Sequence, residues 1–192
     1  MNKLIIRAAA IDDAEPAARL IYEAIHDIAY QLTGEATAED AMTALAELFR
    51  QEGNRFSSKQ ILAAEVEGKV AGIILCYHGS EADKLDVPIA ARLRQRTGSP
   101  NPPIDKEADE DEYYIDSIAV FPEYRGRGIA KALLAAAEKA GAALGYDRIA
   151  LNVEYGNDGA ERLYRSIGYE SDKTITINNT PFYHMIKPLK QP

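Results

Sequence analysis

The stretch from residue 113 to residue 153 limits the architecture more than any other part of the chain. Residues 113–120, YYIDSIAV, read as a largely apolar strand, and Pro122 breaks it. Residues 128–143 form an alanine-rich helix with Ile129, Leu133, Ala136 and Ala140 on one face. Residues 148–153 then alternate as a second strand. Strand, helix and strand in so short a span put the two strands parallel, joined by a right-handed crossover.

The flanking pattern extends this unit into a sheet. Residues 4–6 read as a first strand, and Ala17, Leu20, Ile21, Ala24, Ile25 and Ile28 recur at helical spacing before Gly34. Thr37 with Asp40 resembles a capping pair for a second helix that stops at Gly53. Two apolar runs, 61–66 and 70–77, flank Glu67-Gly68-Lys69 as a β-hairpin. Residues 160–167 predict a short helix, and 169–177 with 181–186 a terminal antiparallel pair turning at Asn178-Asn179. The expected fold is α/β: a mixed sheet with helices on both faces, three layers in all. A length of 192 residues suits one domain, 1–192. Residues 79–111 interrupt it as an insertion, with one short helix over 87–96, a Ser99-Pro100-Asn101-Pro102-Pro103 break and an acidic end.

Composition excludes several classes. A formal net charge of −8 lacks the basic footprint that nucleic-acid binding requires. The opening run MNKLIIRAAAI is too short, and too interrupted by Arg7, for a signal peptide or membrane span. Cys76 is the sole cysteine, so no internal disulfide framework exists, and a cytoplasmic address is the simplest. His26, His78 and His184 lie far apart without paired cysteines, so no zinc-ligand spacing is present and no metal is expected.

The turn between the parallel strands carries the chemistry. It reads Ile118-Ala119-Val120-Phe121-Pro122-Glu123-Tyr124-Arg125-Gly126-Arg127-Gly128-Ile129-Ala130. Glycine lets the backbone approach a ligand and adopt positive φ. The first N–H groups of a helix lack internal partners and point outward with the positive end of its dipole, so they bind anions such as pyrophosphate. Arg125 and Arg127 add positive charge there. The segment is not a P-loop, which needs Gly-Lys followed by Ser or Thr. Nor is it a dinucleotide fingerprint, because Lys131 stands where a third glycine would be.

Arg125-Gly126-Arg127-Gly128-Ile129-Ala130 resembles the Q/R-x-x-G-x-G/A signature of the GNAT superfamily of N-acetyltransferases. Downstream, residues 157–169, NDGAERLYRSIGY, are similar to that family's N-x-x-A-x-x-L-Y-x-x-x-G-F/Y segment. The resemblance implies a splayed parallel pair with acetyl-CoA as cosubstrate. Main-chain groups of Ile118, Ala119 and Val120 would hold the pantetheine arm, and those from Arg125 through Gly126, Arg127, Gly128 and Ile129 to Ala130 the pyrophosphate. It implies acetyl transfer to a primary amine of a small molecule or peptide, direct and within a ternary complex, with a homodimer left open.

Such a transfer needs a neutral amine and a proton for the leaving thiolate. An alkylamine titrates near about 10 and a thiol near about 8.5. Tyr164 occupies the position where the family commonly places an acidic tyrosine. From the residues alone it also fits an apolar helical face with Ala160, Leu163 and Ile167. Some members carry a glutamate on the second strand, where this chain has Asn152. The candidate base is therefore Asp116, which by the two-residue period shares a face with Tyr114 and Ile118; Glu112 stands in reserve. A buried aspartate serving only a neighbouring turn would look the same. Asn157 caps the short helix or, by resemblance, contacts the coenzyme. Cys76, mid-run without a histidine partner, reads as core. The acidic run 105–112 reads as a solvated loop that helps attract a cationic acceptor. A non-catalytic acyl-CoA sensor or regulatory module would keep the glycine turn and need neither Tyr164 nor a base.

Overall fold

The ten-residue strand β3, Lys69–His78, sits inside the sheet, and its apolar run is explained by burial on both faces. Ile73, Leu75 and Tyr77 enter one core; Ile74 and Cys76 enter the other. The computed structural model describes residues 3–190. Around β3 are built β1 (Leu4–Ala8), β2 (Ile61–Val66), β4 (Tyr113–Val120), β5 (Arg148–Glu154), β6 (Glu170–Ile177) and β7 (Thr180–Pro188). The sheet order is β1-β2-β3-β4-β5-β7-β6, and only β4 and β5 pair in parallel. Both hairpins turn through consecutive left-handed residues, Glu67-Gly68 and Asn178-Asn179, the torsions of a tight two-residue connection.

One face carries α1 (Ala14–Ile25), α2 (Asp27–Thr33), α3 (Ala38–Arg50) and α4 (Ala82–Thr97). The other carries α5 (Ile129–Ala143) and α6 (Asp158–Ser166). The expected three layers are present. No helix among the described residues is long and apolar enough to cross a membrane.

Three local expectations are corrected. The run from Ala17 to Ile28 is two helices, because His26 takes φ 43° between them. A Tyr22–Tyr30 hydroxyl bond of 2.6 Å spans that bend. The insertion helix is α4, longer than 87–96: it runs through Pro88, and Leu85, Ile89 and Leu93 bury one face along it. Tertiary packing there overrides the local cost of an interior proline. Finally, α3 ends at Arg50, with Gln51 extended, before Gly53 is reached.

The Thr37 cap is as expected. Its Oγ1 accepts from Asp40 N at 3.1 Å and donates to the Asp40 carboxylate at 2.8 Å. Thr37→Ala is expected to cost about 1 kcal/mol, a fall in Tm of roughly 2–4 °C by thermal denaturation. An unchanged Tm would show that the cap contributes nothing.

Candidate active site

β4 and β5 pair only at Tyr113, Tyr114 and Ile115, against Ile149, Ala150 and Leu151. Beyond that point they diverge. Phe121 donates its N–H to Ala71 O of β3 at 2.9 Å. By strand alternation, Ile118 and Val120 therefore turn their main-chain groups away from β3, toward the gap. Val120 O accepts from Arg125 Nε at 2.9 Å, which fastens the turn to the end of the strand.

The turn itself is open. Gly126 and Gly128 take φ 74° and 77°, and a Cβ added to either would meet nothing within 4 Å. Gly128 is the N-cap of α5, so the N–H groups of Ile129 and Ala130 have no intrahelical acceptor. No described group accepts from the amides of Gly126, Arg127, Gly128, Ile129 or Ala130. Five outward amides at a helix start fit a diphosphate. Arg125 also approaches Glu23 Oε2 at 3.5 Å, while Arg127 donates to Glu123 O and lies over the Tyr124 ring. Asn157 accepts from Ala160 N at 3.2 Å and so caps α6.

Tyr164 projects from α6 into the α5-side core, its ring 5.9 Å from that of Tyr169. Its hydroxyl makes no hydrogen bond with a described residue. Burial pushes its pKa up to about 12, so the phenol keeps its proton at neutral pH. Cys76 is buried in the same core, and desolvation pushes its thiol up too, which leaves it a poor nucleophile.

Asp116 occupies a bulge. Leu75 faces Ser117 while Cys76 faces Ile115, so Asp116 is the extra residue of β4. The expected shared face breaks there. Tyr114 packs on the α1 side, as does Asp116 through Tyr77, whereas Ile118 packs on the α5 side. Asp116 accepts from Arg55 Nε at 2.9 Å and from Arg55 Nη2, from the Tyr77 hydroxyl at 2.8 Å and from Ser117 Oγ at 2.8 Å.

Arg55 had no signal in the sequence. It is 2% exposed and also meets Glu107 at 2.8 Å and Asp86 at 3.4 Å. The turn that delivers it is built on buried Asn54, whose side chain bonds Leu48 O, Gln51 O and Phe56 N. A second network crosses β5. Asn152 Nδ2 donates to Glu107 O at 3.0 Å and to Tyr114 Oη at 2.8 Å, which orients its Oδ1 toward His184. The Nδ1 of His184 therefore donates, at 2.8 Å, and its Nε2 lies 3.3 Å from Oε2 of buried Glu112.

The acidic run departs from the solvated loop expected. Asp105 accepts from Asn178 N, Asp109 from Lys173, and Asp111 from Arg148. These carboxylates clamp the insertion to the sheet. Asp109, Glu112 and His184, remote in sequence, bring ligand-type atoms within 4.8 Å of one another. Lys173, Arg148 and Asn152 already contact them.

Residues 22–169 match the Acetyltransferase (GNAT) family, a span of well over half the chain. The chain belongs to the GNAT family. Among solved structures, one described as an acetyltransferase superposes with a TM-score of 0.79 at 30% identity, covering 97% of this chain and 100% of that one. An N-acetyltransferase from Staphylococcus aureus Mu50 gives 0.80 at 31%, covering 95% and 99%. An acetyltransferase of Yersinia pestis (strain Pestoides F) is 37% identical over 65 residues, 34% of this chain. The match spans 44% of that curated relative's length.

Proposed function

We propose that this GNAT chain transfers an acetyl group from acetyl-CoA to a primary amine of a small molecule or peptide, directly and within a ternary complex. The observation that carries this reading is the set of five unclaimed amides, Gly126 to Ala130, opening beside a forked parallel pair. A solved relative at 31% identity, described as an N-acetyltransferase, supports it. Acetyl-CoA would supply the acetyl group activated as a thioester.

In this reading the Gly126–Ala130 amides bind the diphosphate, helped by the dipole of α5. The gap-facing main chain of Ile118 and Val120 holds the pantetheine arm as a third strand would be held. Tyr164 keeps a proton on its Oη for the leaving sulfur, since burial disfavours the phenolate. Asp116 fixes Arg55 at the fork.

The test is twofold. Coenzyme A should raise the Tm, and acetyl-CoA with an amine panel should release free thiol. Thermal stabilisation without turnover would identify a sensor in place of an enzyme. Tyr164→Phe is expected to lower kcat by about 10²-fold with little change in coenzyme Kd. An unchanged kcat would remove Tyr164 from the chemistry.

A further inference from the structure

The last paired residues of the fork are Ile115 on β4 and Leu151 on β5, so Asp116 and Asn152 are its two lips. Glu107, from the insertion, is fastened to both. Arg55 Nη2 donates to Glu107 Oε1 at 2.8 Å and also to Asp116 Oδ2. On the other lip, Glu107 O accepts from Asn152 Nδ2 at 3.0 Å. Its Oε2 accepts from the Tyr114 hydroxyl at 3.0 Å, and that hydroxyl accepts from Asn152. The Glu107 side chain, 10% exposed, therefore lies over the point where the strands part.

Glu107 also lines a cavity of about 330 Å³ between α4 and residues 104–107. The volume suits a small ligand. Ala82, Val87, Ala90 and Ile104 give it apolar walls, and Asp86 fronts it beside Glu107. Arg55 alone is shared among Asp86, Glu107 and Asp116. The lining sets Asp83, Asp86, Asp105 and Glu107 against Arg55, Arg94 and Lys106, and Asp116 draws on Arg55 as well, so carboxylates outnumber cations next to hydrocarbon, where a cation with an aliphatic body is favoured.

We propose that this cavity admits the acceptor as an alkylammonium ion and that Glu107 binds it and takes its proton. The proposal rests on the acetyl-transfer reading above. The nitrogen gives up two protons. Glu107 takes the first and returns it to water, and the freed lone pair forms the C–N bond as the C–S bond breaks. The second leaves the nitrogen as the amide forms and passes through water to Tyr164, replacing the proton that Tyr164 delivers to the sulfur. Burial holds the Glu107 carboxyl above the usual carboxylate range, against the pull of Arg55, which makes it a stronger proton acceptor than an exposed carboxylate.

The experiment measures thiol release by the full chain at saturating acetyl-CoA against pH. The acceptors are n-butylamine, 1,4-diaminobutane, spermidine and a lysine-containing tripeptide. Glu107→Gln is expected to lower kcat/KM for these amines by roughly 10²–10⁴-fold and to abolish the ascending limb assigned to Glu107, with the coenzyme Kd held. Tyr114→Phe removes a hydrogen bond to the charged carboxylate, so its limb should move to higher pH. A merely structural Glu107 would move stability and coenzyme affinity while leaving the limb in place. The proposal is overturned if Glu107→Gln retains the limb, or, should that variant not fold, if Tyr114→Phe leaves the limb unmoved. Wild-type protein that acetylates none of the amines would instead remove the acetyl-transfer reading itself.

Discussion

Arg55→Met is expected to lower the unfolding free energy by about 3–5 kcal/mol at neutral pH, the usual cost of removing one partner from a buried ionic cluster. Methionine keeps the aliphatic stem of arginine and lacks the guanidinium, so the loss combines the missing charge and hydrogen bonds with the space that group filled. Asp116, 3% exposed, would keep only its Tyr77 and Ser117 donors, while Glu107 and Asp86 would lose their cation. For a chain of this size the corresponding fall in Tm is roughly 6–20 °C. The pH dependence gives the cause. Burial already holds the Asp86 and Glu107 carboxyls above their ordinary range, and Arg55 opposes that shift. Without it the folded-state values rise further. A raised carboxyl loses stability as pH climbs from the unfolded value through the folded one, so the variant's deficit should shrink on acidification to about pH 5. Urea denaturation at both pH values checks this. A deficit that does not change with pH would mean that the ionic account is wrong.

Gly128→Val should weaken coenzyme A binding by on the order of 10²-fold, the equivalent of losing one or two charge-assisted hydrogen bonds. The reason is backbone conformation, not crowding, since the space around the position is open. A β-branched residue resists φ 77°, so the N-cap would relax and the amides of Ile129 and Ala130 would cease to converge. The strain itself costs about 1–3 kcal/mol of stability. Gly53→Val is the control: Gly53 also has a positive φ, 79°, and open surroundings, but lies after α3. It should lose comparable stability and no coenzyme affinity. Calorimetric titration separates the two, and equal Kd values would dismiss the cradle.

The parts of this protein that sequence reveals are those written in short range. Gly126 and Gly128 are close enough to specify a turn, and Thr37 is three residues from the amide it caps. The two hairpins are similarly local, since each is set by the two residues at its tip. The buried carboxylates beside the fork are different. Arg55 reaches Asp116 across 61 positions and Glu107 across 52, and Glu112 meets His184 across 72. No periodicity links such residues, and each alone reads as ordinary loop or strand. The bulge at Asp116 defeated the two-residue period for a related reason: the extra residue exists only in relation to β3. Pro88 shows the opposite failure, a strong local breaker overruled by the burial of Leu85, Ile89 and Leu93.

That single surplus position in β4 also fixes the phase of the strand's remaining residues. Forcing regular pairing with β3 while keeping every residue would set Asp116 opposite Leu75 and swap the roles of every subsequent peptide group. Ser117 would offer its amide to the cleft, and Ile118 would spend its own on the neighbouring strand. Many side chains around the fork could change without disturbing this phase, yet a change that erased the bulge and kept the residue would turn the gap-facing amides and carbonyls back toward β3.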